Sequence, residues 1–404
     1  MVRNSRQPTV PCRHFCIVTE TYPPEVNGVA MTLARLVDGL RARGHLVSII
    51  RPRQRIADGY GGGIDFRVTL VRGLPLLGQT GVQFGLPAGR MLSRSWMRYR
   101  PDAVYVATEG PLGWSAVRAA QRLKIPVLSG FHTNFHSYSQ YYGAGWLQPV
   151  ILRYLRAFHN RTGGTLVPSQ DLQAQLHDLG VHNVRLLARG VDTQLFHPER
   201  RSVAVRSQWG VRDRDMVALY VGRVAPEKNL QLAVTAYRAM QQCNNTVKFI
   251  IVGDGPFRLA LQKEHPDIRF CGLLTGERLA THYASADVFL FPSETETFGN
   301  VTLEALASGL AVVAYDYAAA KMHITSGKTG IVVPYGDGNG FAAAAARLVR
   351  EPQLLASIRR QARTAVATVD WRRVVERFET LLMNAHAQPH TAETSSVTYQ
   401  RLAT

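Results

Sequence analysis

Ser293-Glu294-Thr295-Glu296-Thr297-Phe298-Gly299-Asn300-Val301-Thr302-Leu303-Glu304-Ala305-Leu306-Ala307-Ser308-Gly309 is the stretch that decides the fold of this 404-residue chain. It follows Ala286-Asp287-Val288-Phe289-Leu290-Phe291-Pro292, an apolar run that reads as a buried strand. From about Gly299 the residues are good helix formers, and Gly309 supplies a C-terminal stop. The unit is therefore strand, loop, helix, with Glu296 in the loop and Glu304 inside the helix. Free backbone N–H groups at such a helix start favour an anion. A carboxylate beside an anion site makes sense if it grips hydroxyls of a ligand whose phosphates lie on the N–H groups. That describes a nucleotide-sugar.

The same alternation runs outward in both directions. Strands are predicted at Val217-Ala218-Leu219-Tyr220-Val221, Phe249-Ile250-Ile251-Val252, Val312-Val313-Ala314 and Ile331-Val332-Val333. An earlier set lies at Phe15-Cys16-Ile17-Val18, Leu46 to Ile50, Ala103 to Val106, Pro126-Val127-Leu128 and Thr165-Leu166-Val167. Helical stretches such as Met31 to Arg43 and Leu112 to Leu123 lie between them. Strands alternating with helices predict parallel doubly wound sheets, so the fold class is α/β. The length suits two domains. We expect one over residues 13–196 and a second over 216–369, joined by a charged, aperiodic linker at 197–215. Two such sheets leave a cleft between them, where folds of this kind bind ligands.

The loops at the strand ends carry the candidate chemistry. Val221-Gly222-Arg223-Val224-Ala225-Pro226-Glu227-Lys228-Asn229 places Arg223 and Lys228 after the first strand of the second domain, where two cations can neutralise a diphosphate without a metal. Gly253, in Val252-Gly253-Asp254-Gly255-Pro256, and Gly272, before Leu273-Leu274, are turn residues at neighbouring strand ends. In the first domain, Glu20-Thr21-Tyr22-Pro23-Pro24-Glu25-Val26-Asn27-Gly28-Val29 is not G-x-G-x-x-G, which disfavours a dinucleotide site. Gly28 at a helix start allows backbone to approach a phosphate, or is simply a turn glycine. His132 follows another strand, in Gly130-Phe131-His132-Thr133-Asn134-Phe135-His136, and Glu109 follows a third.

Glu296 and Glu304 fit the E-x7-E motif of retaining glycosyltransferases with the GT-B fold, and Pro292-Ser293…Glu296-Thr297-Phe298-Gly299…Glu304-Ala305 resembles the family-4 form. The resemblance covers roughly residues 13–385. His132-Thr133-Asn134-Phe135 and Arg189-Gly190-Val191-Asp192…Phe196-His197-Pro198 resemble the branch holding GDP-mannose-dependent α-mannosyltransferases and sulfolipid synthases. The resemblance implies two Rossmann-like domains facing each other across a cleft, and a helix over 370–386 crossing back to the first domain. It implies that Arg223 and Lys228, in a G-R-x-x-x-x-K pattern, hold the donor diphosphate. By the same resemblance Glu296 holds the donor sugar, Glu304 the ribose, and His132 reaches the transferred sugar through hydrogen bonding. Gly28, Gly253, Gly272, Phe298, Gly299 and Asn300 are expected to line the donor site, and Glu109 to touch the acceptor. Family members often carry Gly-Gly where this chain has Asp316-Tyr317-Ala318-Ala319-Ala320, so that loop departs from the pattern.

Charge and composition bound the partners. The formal net charge is +18, and residues 1–200 hold 24 Arg+Lys against 11 Asp+Glu. A basic half suits an anionic membrane surface or nucleic acid, but no nucleic-acid-binding motif is present. Arg90, Arg94 and Arg98 form a stripe beside Met91, Trp96 and Met97, and Tyr138, Tyr141, Tyr142, Trp146 and Leu147 form an aromatic segment ahead of Arg153 and Arg156. Basic residues interleaved with aromatics suit an interfacial element, although a solvated helix face is the alternative. No apolar run is long enough to span a bilayer, residues 1–12 lack a signal-peptide core, and the four cysteines show no zinc-type spacing. A cytoplasmic enzyme on the inner face of the membrane is expected, with no cofactor or metal. Asp213-Arg214-Asp215 mimics a metal-binding D-x-D in the linker, and Gly327-Lys328-Thr329 mimics the end of a P-loop. Residues 387–404 are polar and aperiodic and are expected to be disordered. A soluble glycan or lipopolysaccharide intermediate is the alternative acceptor. A GT-B UDP-sugar epimerase and a non-catalytic anion binder are the alternatives of other classes.

Overall fold

The structure is a computed structural model describing residues 11–25, 27–53, 68–75, 83–132 and 148–385. The Tyr138–Leu147 aromatic segment and residues 387–404 lie outside the described residues.

The first domain runs β1 (His14–Val18), α1 (Gly28–Ala42), β2 (Leu46–Pro52), β3 (Val68–Val71), a hairpin of β4 (Gly73–Pro75) and β5 (Gln83–Gly85), α2 (Gly89–Arg98), β6 (Ala103–Val106), α3 (Pro111–Arg122), β7 (Val127–Gly130), α4 (Gln148–His159), β8 (Thr165–Val167), α5 (Gln170–Asp178) and β9 (Val184–Leu186). Its parallel sheet has the order β3-β2-β1-β6-β7-β8-β9. Both faces are covered, one by a cluster that includes Leu33, Leu36 and Val37 of α1, the other by one that includes Leu92, Trp96, Leu112 and Ala116. That explains the near-continuous apolar strands, since a parallel sheet is buried on both sides.

A short helix, α6 (Val203–Gln208), precedes the second domain. That domain runs β10 (Val217–Val221), α7 (Leu230–Cys243), β11 (Lys248–Val252), α8 (Arg258–Glu264), β12 (Arg269–Phe270), α9 (Gly276–Ser285), β13 (Val288–Phe291), α10 (Asn300–Ala307), β14 (Ala311–Tyr315), α11 (Ala318–His323), β15 (Ile331–Val333), α12 (Gly338–Arg350) and α13 (Pro352–Ala362). Its parallel sheet has the order β12-β11-β10-β13-β14-β15. Each sheet reverses its winding once, between β1 and β6 in the first and between β10 and β13 in the second. Ligands of open α/β sheets sit beyond the strand ends at such switch points.

Residues 197–215 are not a free tether. Arg206 of α6 is 1% exposed and donates to the carbonyls of Ser285 (2.8 Å), Arg212 (2.8 Å) and Asp215 (2.5 Å). Trp209 and Val211 enter the second domain's core. Because the helix is anchored by a buried guanidinium rather than an apolar stripe, its sequence shows no periodicity. The D-x-D mimic is accounted for locally, with Asp215 accepting from Arg212.

The final helix, α14 (Trp371–Met383), packs on the first domain. Val375 lies against Gly39 of α1, where a Cβ would meet Val375 Cγ2 at 2.3 Å, so only glycine permits the approach. Phe378 meets Tyr105 edge-on at 5.0 Å, and Glu379 accepts from Arg43 (2.5 Å) and bonds His45 (2.6 Å). The two chain crossings run side by side, with Val191 N donating to Val369 O (2.9 Å). The domains also meet where Asp171, at the start of α5, accepts from Ala318 N (3.1 Å) and Lys321 (2.8 Å). Both sides of that contact follow strand ends, so the C-terminal edges of the two sheets face each other. Among the described residues no helix is long and apolar enough to cross a membrane.

Candidate active site

The second domain gathers its candidates around the β10/β13 switch point. Strand β13 ends at Phe291, and the loop to α10 carries Ser293 and Glu296. Gly299, at φ +90°, makes the turn into α10, and Phe298 is buried beneath it. No side chain caps the first turn of α10; Thr302 N donates to Gly299 O (3.0 Å), and the amides of Asn300 and Val301 precede it at the open helix start. Glu296 Oε1 accepts from Lys228 Nζ and from Ser293 Oγ (2.8 Å), so the loops after β10 and β13 are tied by an ion pair. Arg223 pairs with Glu227 (2.9 Å) and stays half-exposed. Asn229, in the left-handed conformation, donates to Glu294 (2.8 Å), a second link between the same loops. Gly253 abuts Gly222, where a Cβ would meet Gly222 O at 1.9 Å, and Gly253 N donates to Gly272 O (2.8 Å). Glu304 lies one helical turn inside α10, where burial pushes it up to about 7 although Tyr283 donates to it (2.9 Å).

Tyr317 belongs to this group, and sequence reasoning missed it. Its hydroxyl donates to Ser293 O (2.6 Å) and accepts from Glu296 N (3.1 Å), which fixes the glutamate loop. Burial, with Glu296 nearby, raises its pKa and keeps it a donor. Its neighbour Ala318 takes φ +51°, a conformation that costs a non-glycine residue about 1 kcal/mol or more. The departure from Gly-Gly thus keeps a left-handed turn, which the Asp171 carboxylate of the other domain helps hold.

In the first domain, Gly28 opens α1, but Asn27 caps that helix by accepting from Val29 N (3.1 Å) and Ala30 N (2.9 Å). The anion expected at this helix start meets a terminus whose amides are partly taken. A Cβ at Gly28 would meet no atom within 4 Å, so the space over it is open. His132 Nδ1 faces Arg189 Nη2 (3.3 Å) and Nε2 faces Tyr105 Oη (2.9 Å). A guanidinium only donates, so Nδ1 accepts and the hydrogen sits on Nε2. Burial, then Arg189 and His159, hold the imidazole neutral. Arg189 is 4% exposed and its other arm donates to Gly28 O (3.1 Å). It comes from the Arg189-Gly190-Val191-Asp192 stretch, whose spacing gave no role for it. Glu109 follows β6 and is also buried, with its Oε1 3.5 Å from His159 Nε2. Among the described residues no hydrogen bond or ion pair joins this first-domain group to the Glu296 group; each lies on its own edge of the cleft.

Two facing parallel-sheet domains with candidate residues on the loops of both edges define a GT-B glycosyltransferase. The family described as Glycosyltransferase Family 4 matches residues 26–195, and the one described as Glycosyl transferases group 1 matches residues 215–351. The chain belongs to the family-4 glycosyltransferases. It is 36% identical over 302 residues to the GDP-mannose-dependent alpha-mannosyltransferase of Corynebacterium glutamicum, covering 74% of this chain and 71% of that one. It is 28% identical over 312 residues to the alpha-monoglucosyldiacylglycerol synthase of Streptococcus pneumoniae, covering 74% and 70%. Among solved structures, Anabaena HepE in complex with UDP superposes with a TM-score of 0.72 at 20% identity, over 91% of this chain and 99% of that one.

Proposed function

We propose that the chain transfers a hexose, with retention of anomeric configuration, from a nucleotide-diphosphate sugar to a membrane lipid or lipid-linked acceptor without a metal. The observation that carries this reading is the Lys228–Glu296 contact, which joins the two sequence motifs at one switch point. In the free protein each group neutralises the other. In the donor complex the diphosphate takes Lys228 and Arg223 together with the amides of Gly299 and Asn300, while sugar hydroxyls take Glu296 and the ribose takes Glu304. The leaving diphosphate, stabilised by those charges, accepts the acceptor's proton on the face it vacates, and no protein nucleophile is needed. Neutral His132 donates from Nε2 to the sugar by exchanging Tyr105 for it. The identity to a GDP-mannose-dependent relative favours GDP-mannose as donor, with UDP-glucose next.

The acceptor is taken from an anionic membrane, on its inner face. Helix α2 supports this with Arg90, Arg94 and Arg98 exposed, and the neighbouring hairpin exposes Leu74 and Phe84. Trp96, expected to face the membrane, is 2% exposed and belongs to the core, and Met91 packs against that core; Met97 is the apolar residue of the stripe that stays outside. The test presents GDP-mannose or UDP-glucose to the purified chain with phosphatidylglycerol vesicles containing diacylglycerol. Labelled sugar should enter the lipid phase, and should do so in EDTA. Complete loss in EDTA restored by manganese would overturn the metal-free mechanism, and transfer confined to soluble glycans would overturn the lipid acceptor. Each juxtamembrane cation is worth about 1 kcal/mol, so replacing all three arginines by glutamine should weaken vesicle binding roughly 100-fold at low salt.

A further inference from the structure

We infer that Asp171, a residue of the first domain, is a positioning residue for the donor sugar, because it holds the turn that supports the Glu296 loop of the second. This rests on the transferase reading above and adds to its donor site a residue from the opposite domain. Asp171 opens α5; its Oδ2 accepts from Ala318 N (3.1 Å) and its Oδ1 from Lys321 Nζ (2.8 Å). The turn it grips follows β14. The residues on either side of Ala318 both bind the Glu296 loop. Tyr317 Oη donates to Ser293 O (2.6 Å) and accepts from Glu296 N (3.1 Å), while Ala319 N donates to Phe298 O (2.8 Å). The turn therefore braces both ends of the segment 293–298 and is itself braced by the other domain. Glu296, inside that segment, holds Lys228 and Ser293.

The independent observation is the backbone of Ala318. Its φ of +51° lies in the left-handed region, which glycine enters freely and alanine does not. Lys321 supplies little of the hold, since its side chain is 53% exposed and that of Asp171 29%, and exposed ion pairs contribute little. The bond from Ala318 N to the carboxylate is the charge-assisted one that acts on the backbone itself. Without it the turn is free to leave the left-handed region, and Tyr317 and Ala319 move with it.

The arrangement separates the two halves of the donor. Arg223 and Lys228, which take the diphosphate on the proposed reading, are placed by loops of the second domain alone. The loop that carries Glu296 to the sugar is set in part by Asp171 across the cleft. Domains joined by chain crossings and a polar contact are expected to move relative to one another. The Asp171 bond exists only while they are together, so the hold on the sugar depends on their meeting, and the hold on the nucleotide does not.

The test measures by calorimetry the affinity of the full chain for GDP and GDP-mannose, and for UDP and UDP-glucose, alongside sugar transfer to lipid and to water. In Asp171→Ala, affinity for the nucleotide-sugar and its kcat/KM should fall about tenfold, the population cost of returning an alanine to the left-handed region. Affinity for the bare nucleotide should change by less than about twofold. Ala318→Gly should resemble wild type and should restore Asp171→Ala to within about threefold, because glycine adopts that φ unaided. Asp171→Asn, which keeps an acceptor for Ala318 N, should lose less than Asp171→Ala, and Lys321→Ala least of all. A loss in Asp171→Ala that Ala318→Gly does not repair would overturn the inference. Equal losses for nucleotide and nucleotide-sugar, or no loss at all, would overturn it as well. Wild type that binds a nucleotide-sugar but transfers it to neither lipid nor water would sink the transferase reading alone, and the affinity ratio would still decide the role of Asp171. Failure to bind either nucleotide-sugar would sink both.

Discussion

At the β10/β13 switch point Lys228 and Glu296 satisfy each other, whereas at the β1/β6 switch point Glu109 and His159 stop 3.5 Å short. The folds around the two sites are alike, each a parallel sheet with loops at its C-terminal edge. What differs is the sign and pairing of the side chains. The second-domain site holds two cations, each already paired with a carboxylate, so an incoming diphosphate exchanges one partner for another. The first-domain site holds two buried carboxylates, and His159 Nε2 and Glu109 Oε1 lie 3.5 Å apart without a hydrogen bond between them. The two sheets share one reversal of winding, so the difference between the sites lies in their side chains.

Breaking the paired site should have the largest effect. Lys228→Ala and Glu296→Gln each remove an electrostatic contact to the donor, and the loss expected is about 10²–10³ in turnover. Arg223→Ala should behave similarly despite its exposure, because on the proposed reading the diphosphate takes its guanidinium from Glu227. Steady-state kinetics with the preferred donor, set beside circular dichroism, separates this from misfolding. Near-normal turnover in all three variants would remove the second-domain site.

A smaller effect is expected from Arg189, which links Gly28 to His132. Arg189→Gln should lower turnover about tenfold and steepen the pH dependence relative to wild type. His132 faces Tyr105, Arg189 and His159, with Glu109 behind Tyr105, and its pKa is held down by burial and by the two cationic or ionisable neighbours. Removing Arg189 raises that pKa, so the variant should lose more activity than wild type as pH falls toward 6. Arg189→Lys keeps the charge and should keep the wild-type profile. A parallel pH profile in all three proteins would reduce Arg189 to a packing residue.

The donor side was more legible in the sequence than the acceptor side. Val288–Phe291 and Val217–Val221 are fully buried strands, so their apolar runs announce them, and the loops that follow carry charged residues in a dense pattern. Strand β9 of the first domain, by contrast, is only partly buried along its length, so it produces no periodic signal. Tyr317 and Arg189 act through hydrogen bonds to residues distant in sequence, and a tyrosine or arginine destined for such a bond looks like any other. Trp96 misled for the opposite reason: an aromatic within a basic stripe suits a membrane, but at this helical position it turns into the core.

The smallest effect compares the two sites by stability. Glu304 and Glu20 are both pushed up to about 7, mainly by burial. An unfolded glutamate titrates near 4.3. Between roughly pH 4.5 and 7 the folded chain therefore holds a proton that the unfolded chain has lost, and stability falls as pH rises through that window. Above pH 7 the folded chain carries the buried charge and the penalty is complete. Glutamine keeps the acceptor for Tyr283 without the charge, so Glu304→Gln should melt a few degrees above wild type at pH 8 and close to it at pH 5, since about 1 kcal/mol moves a domain of this size by about 2–4 °C. Glu20→Gln should do the same, with an added gain from relieving Glu109. Melting curves of both variants at the two pH values check this. If only Glu304→Gln shifts, the burial penalty is confined to the second-domain carboxylate.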